Sequence, residues 1–402
     1  MSDVTKPIVL DESYREFMEA QNHLLAHQNA AIDLLASDKR ADVLSDISEI
    51  AHLAKNGELL EVMDYGDQIS AGWANGQTNY TPAMNLCHES DELLEDGETV
   101  HGCFFEWDKV TPYGIVYDEP EAIFESANAL ATGAYHFKIV NDSWGGNEGK
   151  FIQFTAPEEI PAGYQIRKSV GYNGDVLSGT LDVYANGASR TKLYSMTPTE
   201  GTGGTNLGET DGTGDLNHWH RVALGDNRWK YSFARQILNA TGEKDTYYVQ
   251  THKWDVKPAM AETVDGFLHG YSEDIYKYFK PIKVVTVEPN IDGNVEDVTY
   301  DRVFLSSLEQ MYAVPQFAGK EGEYWEYYKR LLGRTTPAPL YQTYTRLIKY
   351  ALDSPTSAQY YWRRSAGRYS GCHVFIVYSS GSLDGNYAYG AYRCAPSVFI
   401  SD

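Results

Sequence analysis

The sequence predicts an α+β fold, helices first and sheets after, and three observations carry that prediction. Apolar residues recur at helical spacing ahead of residue 56. Beyond Gly66 the texture changes to short β-branched and aromatic runs punctuated by Gly, Asn and Asp. Helical spacing then returns only in brief segments before the last fifty residues revert to a sheet-like pattern. With 402 residues, 42% hydrophobic and 13% aromatic, the chain can fill the cores of two or three folded units.

The first helix is expected over 11–35, where Phe17, Leu24 and Ala31 fall seven apart and Leu25, Ile32 and Leu35 widen the stripe. A second fits 42–55, with Val43, Ile47, Ile50 and Ala54 on one face and Asn56-Gly57 as a stop. Two such helices bury little on each other alone, so residues 1–60 are read as an oligomerising or anchoring segment that seeks another copy or a larger particle. Residues 61–124 open the main body. Strands are expected at 133–140, 151–155, 164–166 and 180–184, with Pro161-Ala-Gly163 as a turn, so 125–195 reads as a compact antiparallel, sandwich-like insert. The Gly/Thr-rich stretch 197–217 lacks a pattern and is assigned as a loop or linker. Further helices are expected at 232–238, 260–279 and 324–332, inside a unit spanning 196–402.

Composition excludes several partners. A net charge of −23 repels phosphate backbones and anionic lipid heads, so neither nucleic acid nor a membrane surface is expected. No run of eighteen apolar residues occurs, and the opening residues lack the basic-then-apolar pattern of a secretory signal, which predicts a soluble, cytoplasmically made protein. Four scattered cysteines, Cys87, Cys103, Cys372 and Cys394, are too few for a disulfide framework and are read as reduced.

Short signatures recur in one order: Tyr65-Gly-Asp-Gln-Ile69 with Trp73; Asn227-Arg-Trp229 with Ser232, Arg235-Gln236 and Leu238-Asn239; Asp265-Gly-Phe-Leu268; Asp301-Arg-Val-Phe-Leu-Ser306 with Glu309; Tyr361-Trp-Arg-Arg-Ser365; and Arg393-Cys-Ala-Pro396. Together they resemble a C-type-lectin-like family of gut bacteria and their phages, distantly related in fold to formylglycine-generating enzymes. Arg364 departs from the apolar residue many relatives carry there. The resemblance implies a display scaffold similar in role to retroelement-diversified phage tropism determinants, whose C-terminal strands and loops are rewritten to change host binding. It also implies a virion-surface location, a host surface protein or glycan as ligand, contacts to other virion proteins through the N-terminal helices, and a homo-oligomer, with a trimer preferred.

Residues 360–392 support that role by their own chemistry. Seven of the 31 tyrosines lie in these 33 positions, where a uniform spread would place about two or three. Their neighbours are Ser, Gly and Asn, and neither Lys nor Glu follows Lys349. Tyrosine supplies rigid amphipathic area at low entropic cost while small polar residues adapt their hydrogen bonds, the make-up of evolved binding surfaces. Val374-Phe-Ile-Val377 and Val398-Phe-Ile400 read as core strands. Gly367, Arg368, Tyr369, Ser370, Cys372 and His373 are expected as one exposed loop or edge. Tyr378, Ser380, Ser382, Asp384, Gly385, Tyr387, Tyr389, Gly390 and Tyr392 form the other. The bland alternative is a Tyr-rich sheet packed on the N-terminal body.

Other motifs favour structural readings. Glu288-Pro-Asn290 is a tripeptide of calcium-dependent sugar binding but lacks the oxygen-rich strand that should follow, and reads as a turn. Cys87-His88, His101-Gly-Cys103 and His218-Trp-His220 lack zinc-ligand spacing and read as packing. The glycines of 201–214 lack a phosphate-loop ending, and no nucleophile elbow occurs. Cys372 and Cys394 are the only late pair that could serve formylglycine-generating chemistry, and that enzyme class is set aside. The sequence therefore predicts a binding protein without catalytic residues, metal or cofactor. A capsid or tail decoration protein with no ligand of its own is the alternative.

Overall fold

The computed structural model describes residues 46–142, 146–169 and 175–402, and the fold is mixed α+β with far more sheet than helix. The expected helix over 11–35 and the first residues of the second lie outside the described residues. The second helix is Ile47–Asn56. Asp46 caps it by accepting the Ser48 N–H at 2.9 Å. Gly57, at φ 72°, closes it, donating to the Ala54 carbonyl while Glu58 N–H reaches Leu53. Its buried face of Ile50, Ala51 and Ala54 packs on strands Thr99–Trp107 and Ser397–Ile400. The small residues of its stripe let it lie close to a sheet of its own chain.

Two five-stranded sheets frame the body. The first runs Gln68–Ser70, Ala83–Leu93, Thr99–Trp107, Ser397–Ile400 and Val303–Phe304, antiparallel throughout. The second runs Leu383–Tyr387, His373–Val377, Tyr361–Ala366, Ala391–Cys394 and Ile115–Val116, with one parallel pairing between Tyr361–Ala366 and Ala391–Cys394. One continuous core of apolar residues, including Trp107, Trp229, Phe267, Phe304, Trp362 and Ile376, joins both sheets and the short helices. A separate hairpin, Ile282–Val287 with Glu296–Asp301, stands beside them.

A second core holds Phe124, Phe137, Phe154, Ile166, Val183, Leu216 and Trp219 between two four-stranded sheets. This unit is wider than the expected 125–195. The stretch 197–217, expected as a linker, supplies strands Thr199–Glu200 and Thr205–Glu209, which pair with Phe151–Ala156 and, in parallel, with Gly133–Lys138. Both are mostly exposed edge strands, so no apolar alternation marks them.

The helix expected over 260–279 is also corrected. It is broken into Ala259–Glu262, Leu268–Gly270 and Glu273–Tyr276. Gly266 and Gly270 lie where a Cβ would collide with the Ala240 and Ala74 carbonyl oxygens, so the chain bends to keep these approaches rather than coil past them. The helices Phe233–Asn239, capped by Ser232, and Glu326–Leu332 form close to where their spacing places them.

Candidate recognition surface

The C-terminal sheet is buried on both faces where it is central. Every residue of Tyr361–Ala366 is buried, as are Val374 to Val377. Tyr361 donates its hydroxyl to the Leu347 carbonyl at 2.6 Å and Trp362 its Nε1–H to Ile115 at 2.8 Å. Below them Glu106, with no exposed surface, meets Arg363 at 3.0 Å and Lys349 at 3.1 Å, and accepts the hydroxyls of Ser306, Ser397 and Tyr328. Burial alone would raise the Glu106 carboxyl, but Arg363 and Lys349 outweigh it and hold it at about 2. A buried charged cluster with this many hydrogen bonds fixes the strand that carries it.

Tyrosines pave this rigid sheet. Tyr392 lies edge-on to Trp362 at 4.8 Å, Tyr360 stacks on Tyr392 at 5.6 Å, and Tyr378 meets Tyr360 at 4.9 Å. A groove of about 340 Å³ opens beside them, lined by Gly114, Gln359, Tyr360, Ala391, Tyr392 and Arg393. Towards the other edge His373 packs on Tyr387 at 4.8 Å, and Tyr387 stacks nearly parallel on Tyr389 at 6.0 Å. Tyr378, Ser382, Asp384, Gly385, Tyr387, Tyr389, Gly390 and Tyr392 are all half-buried and Ser380 is exposed, so the second expected segment reaches solvent along its length. Gly381, at φ 84° and against the Tyr344 carbonyl, closes the tight turn between Tyr378 and Ser382.

The first expected segment divides. Tyr369 is 81% exposed, and Arg368 and His373 are half-buried. Gly367, Ser370 and Cys372 are buried, which corrects the expectation that they belong to an exposed loop. The loop is held down from below: Asn227, fully buried, donates from Nδ2 to the Ser370 carbonyl at 2.6 Å and the His373 carbonyl at 2.9 Å, while Asn290 N–H bonds the Arg368 carbonyl. Burial pushes the Cys372 thiol up to about 12, so it is no nucleophile at neutral pH. Tyr361, counted with the tyrosine-rich stretch, is also core.

Asn227 belongs to a charged seam at which the second core meets the body. Arg221 pairs with Asp226 at 3.2 Å and with Asp292, and Arg228 grips the same Asp226. Burial would raise the Asp226 carboxyl, yet the two guanidinium groups bring it down to about 2. Glu288-Pro-Asn290 lies at the tip of the hairpin, where Asn290–Asp292 forms a single 3₁₀ turn. Cys87 and Cys103 are buried in the main core, as their packing reading requires.

Residues 203–400 match a domain of unknown function, DUF6273. The matched span runs from the last strand of the second unit, Thr205–Glu209, to the final strand of the body and contains the tyrosine-rich stretch. No curated protein and no solved structure matches the chain. Within the span, the residues of the ordered signatures bind one another. Trp229 Nε1–H and Arg235 Nε–H both reach Asp301, at 2.9 and 2.7 Å. Asn239 brackets the Arg302 and Val303 backbone, and Arg364 donates to the Leu305 carbonyl at 2.7 Å. Arg364 thus fills its departing position with a buried guanidinium that burial lowers to about 10. Sequence reasoning passed over Asn227 and Gln359 as surface-shaping residues; Asn227 was visible only as a member of its signature.

Proposed function

We propose that this chain is a receptor-binding protein of a phage virion, a C-type-lectin-like body with a sandwich-like insert that presents its C-terminal tyrosines to a host surface protein or glycan. The observation that carries the reading is the contrast within one sheet: strands buried on both faces and pinned by the Glu106 cluster, overlaid by tyrosines that keep part of each ring open to solvent. A rigid support under amphipathic rings lowers the ordering cost of binding, and a few aromatic anchors then carry most of the affinity. The binding residues are Arg368, Tyr369, His373, Tyr378, Ser380, Ser382, Asp384, Gly385, Tyr387, Tyr389, Gly390 and Tyr392, with Gly367, Ser370 and Cys372 shaping the loop beneath. Assembly as a homotrimer through the N-terminal segment adds avidity to weak single contacts.

The test is binding of fluorescently labelled full chain to intact cells across a panel of bacterial isolates. Tyr369→Ala and Tyr389→Ala should each weaken attachment to the responsive isolate tenfold or more with an unchanged melting temperature. Unaltered attachment of both variants would overturn the reading and favour a decoration protein whose C-terminal face is covered by a neighbour.

A further inference from the structure

A second opening lies away from the tyrosines. Strand Ala83–Leu93 is paired on its outer side by Gln68–Ser70 only at residues 83–85, and by the Gly66 and Asp67 backbone at Leu86. Among the described residues, no strand lies beside that edge from His88 to Leu93, until Leu94 bridges to Ile282. The facing strand Ile282–Val287 pairs on one side with Glu296–Asp301. On its other side, among the described residues, it is bonded by that bridge and by Glu321, which accepts the Val287 N–H. Two strand edges therefore splay from a common hinge, and a cavity of about 690 Å³ fills the wedge. Its floor combines aromatic rings, with Phe104 stacked on Trp325 at 5.1 Å and edge-on to Phe304 at 5.9 Å, and the buried polar groups of Gln310, Glu321 and Arg364.

We propose that this wedge is a docking site for an extended segment of a partner protein, added as a strand between the two edges and carrying apolar and basic residues in alternation. Unpaired strand edges bind extended chains through main-chain hydrogen bonds, and the surrounding side chains select alternate residues. Six residues, 88–93, offer about 20 Å of edge at roughly 3.3 Å per residue, enough for a hexapeptide. The guest runs antiparallel to one edge and parallel to the other, because the bridge at Leu94 and Ile282 sets the two hosts antiparallel. One row of guest side chains faces the Phe104, Phe304 and Trp325 floor. The other meets Glu89 and Asp91 on the opposite face of Ala83–Leu93, and with Glu92 and Glu323 on the floor side the lining carries more acids than the Lys283, Lys320 and Arg364 that oppose them, which selects cations. None of the tyrosine-surface residues lines this cavity, so the site stands independently of the receptor-binding reading.

The experiment titrates a capped hexapeptide of alternating valine and lysine into the full chain, followed by calorimetry and by hydrogen exchange. Binding should slow exchange in 88–93 and 283–286. N-methylation of alternate peptide nitrogens should weaken binding at least tenfold, as should replacing the lysines by glutamates; Glu92→Gln should weaken it severalfold with an unchanged melting temperature. The proposal is overturned if millimolar peptide leaves those segments unprotected, which would make the rim charges mere guards against self-association. It is equally overturned if the N-methylated peptide binds as well as the parent, or if a free disaccharide protects the same segments at lower concentration.

Discussion

Replacing Glu106 by Gln tests the support beneath the tyrosine sheet. The side chain has no exposed surface and meets Arg363, Lys349 and three hydroxyls. Its displacement from the ordinary 4.5 to about 2 corresponds to about 3 kcal/mol at 1.36 kcal/mol per pH unit. Because the folded value lies below the unfolded one, this contribution is complete above about pH 5 and falls as pH drops from 4.5 towards 2; roughly half remains at pH 3. Removing the carboxylate also leaves two cations buried without their partner, a loss of about 3–5 kcal/mol at neutral pH. The assay is urea unfolding of the parent chain and Glu106→Gln at pH 7 and pH 3. Other groups titrate over the same range, among them Asp118 and Glu121, which burial pushes well above the usual carboxylate range and which therefore act in the opposite sense. Those changes are common to both proteins and cancel in the difference. The gap between the two proteins should be at least about 3 kcal/mol at pH 7 and shrink by about 2 kcal/mol at pH 3. A gap below about 1 kcal/mol, or one that ignores pH, would refute the reasoning.

Three further outcomes follow from particular contacts. Ser232→Ala removes the hydroxyl that accepts the Arg235 N–H, and should cost about 1 kcal/mol in urea unfolding. Cys87, Cys103, Cys372 and Cys394 are buried with thiols raised by burial, so iodoacetamide at pH 8 should leave them unmodified in the native chain and alkylate them after unfolding; native labelling of Cys372 would contradict its placement. Asn227→Ala strips the Ser370 carbonyl of its donor while the His373 carbonyl keeps the Gly367 N–H, which should cost about 1–3 kcal/mol for the one carbonyl left buried and unpaired. It should also accelerate hydrogen exchange in 368–373 while sparing the strand His373–Val377 beyond its first residue.

Much of the local structure was legible because its signals are local. Asp46 and Asn56-Gly57 bracket a helix by capping chemistry, Phe151–Ala156 alternates, and Val374 to Val377 reads as core without its neighbours. What stayed hidden depends on distant partners. Strand Thr205–Glu209 exists because Gly133–Lys138 offers it a parallel edge seventy residues away, and nothing in its Gly-rich sequence announces that. Gly266 and Gly270 broke an otherwise helical spacing because two carbonyl groups elsewhere in the fold needed room. The tyrosine-rich surface was legible by composition, and its depth was not. Gly, Ser and Cys read alike whether a loop faces solvent or is tied down, and the ties here are the buried Asn227 amide, 143 residues before Ser370, and the Asn290 N–H on the Arg368 carbonyl.

The most direct test swaps the solvent-facing tyrosines Tyr369, Tyr378, Tyr387, Tyr389 and Tyr392 for serine together, leaves Tyr361 and Trp362 in place, and measures attachment to host cells beside the urea midpoint. Abolished attachment by a chain that still unfolds cooperatively is the predicted result. Full attachment by the same folded chain would contradict it.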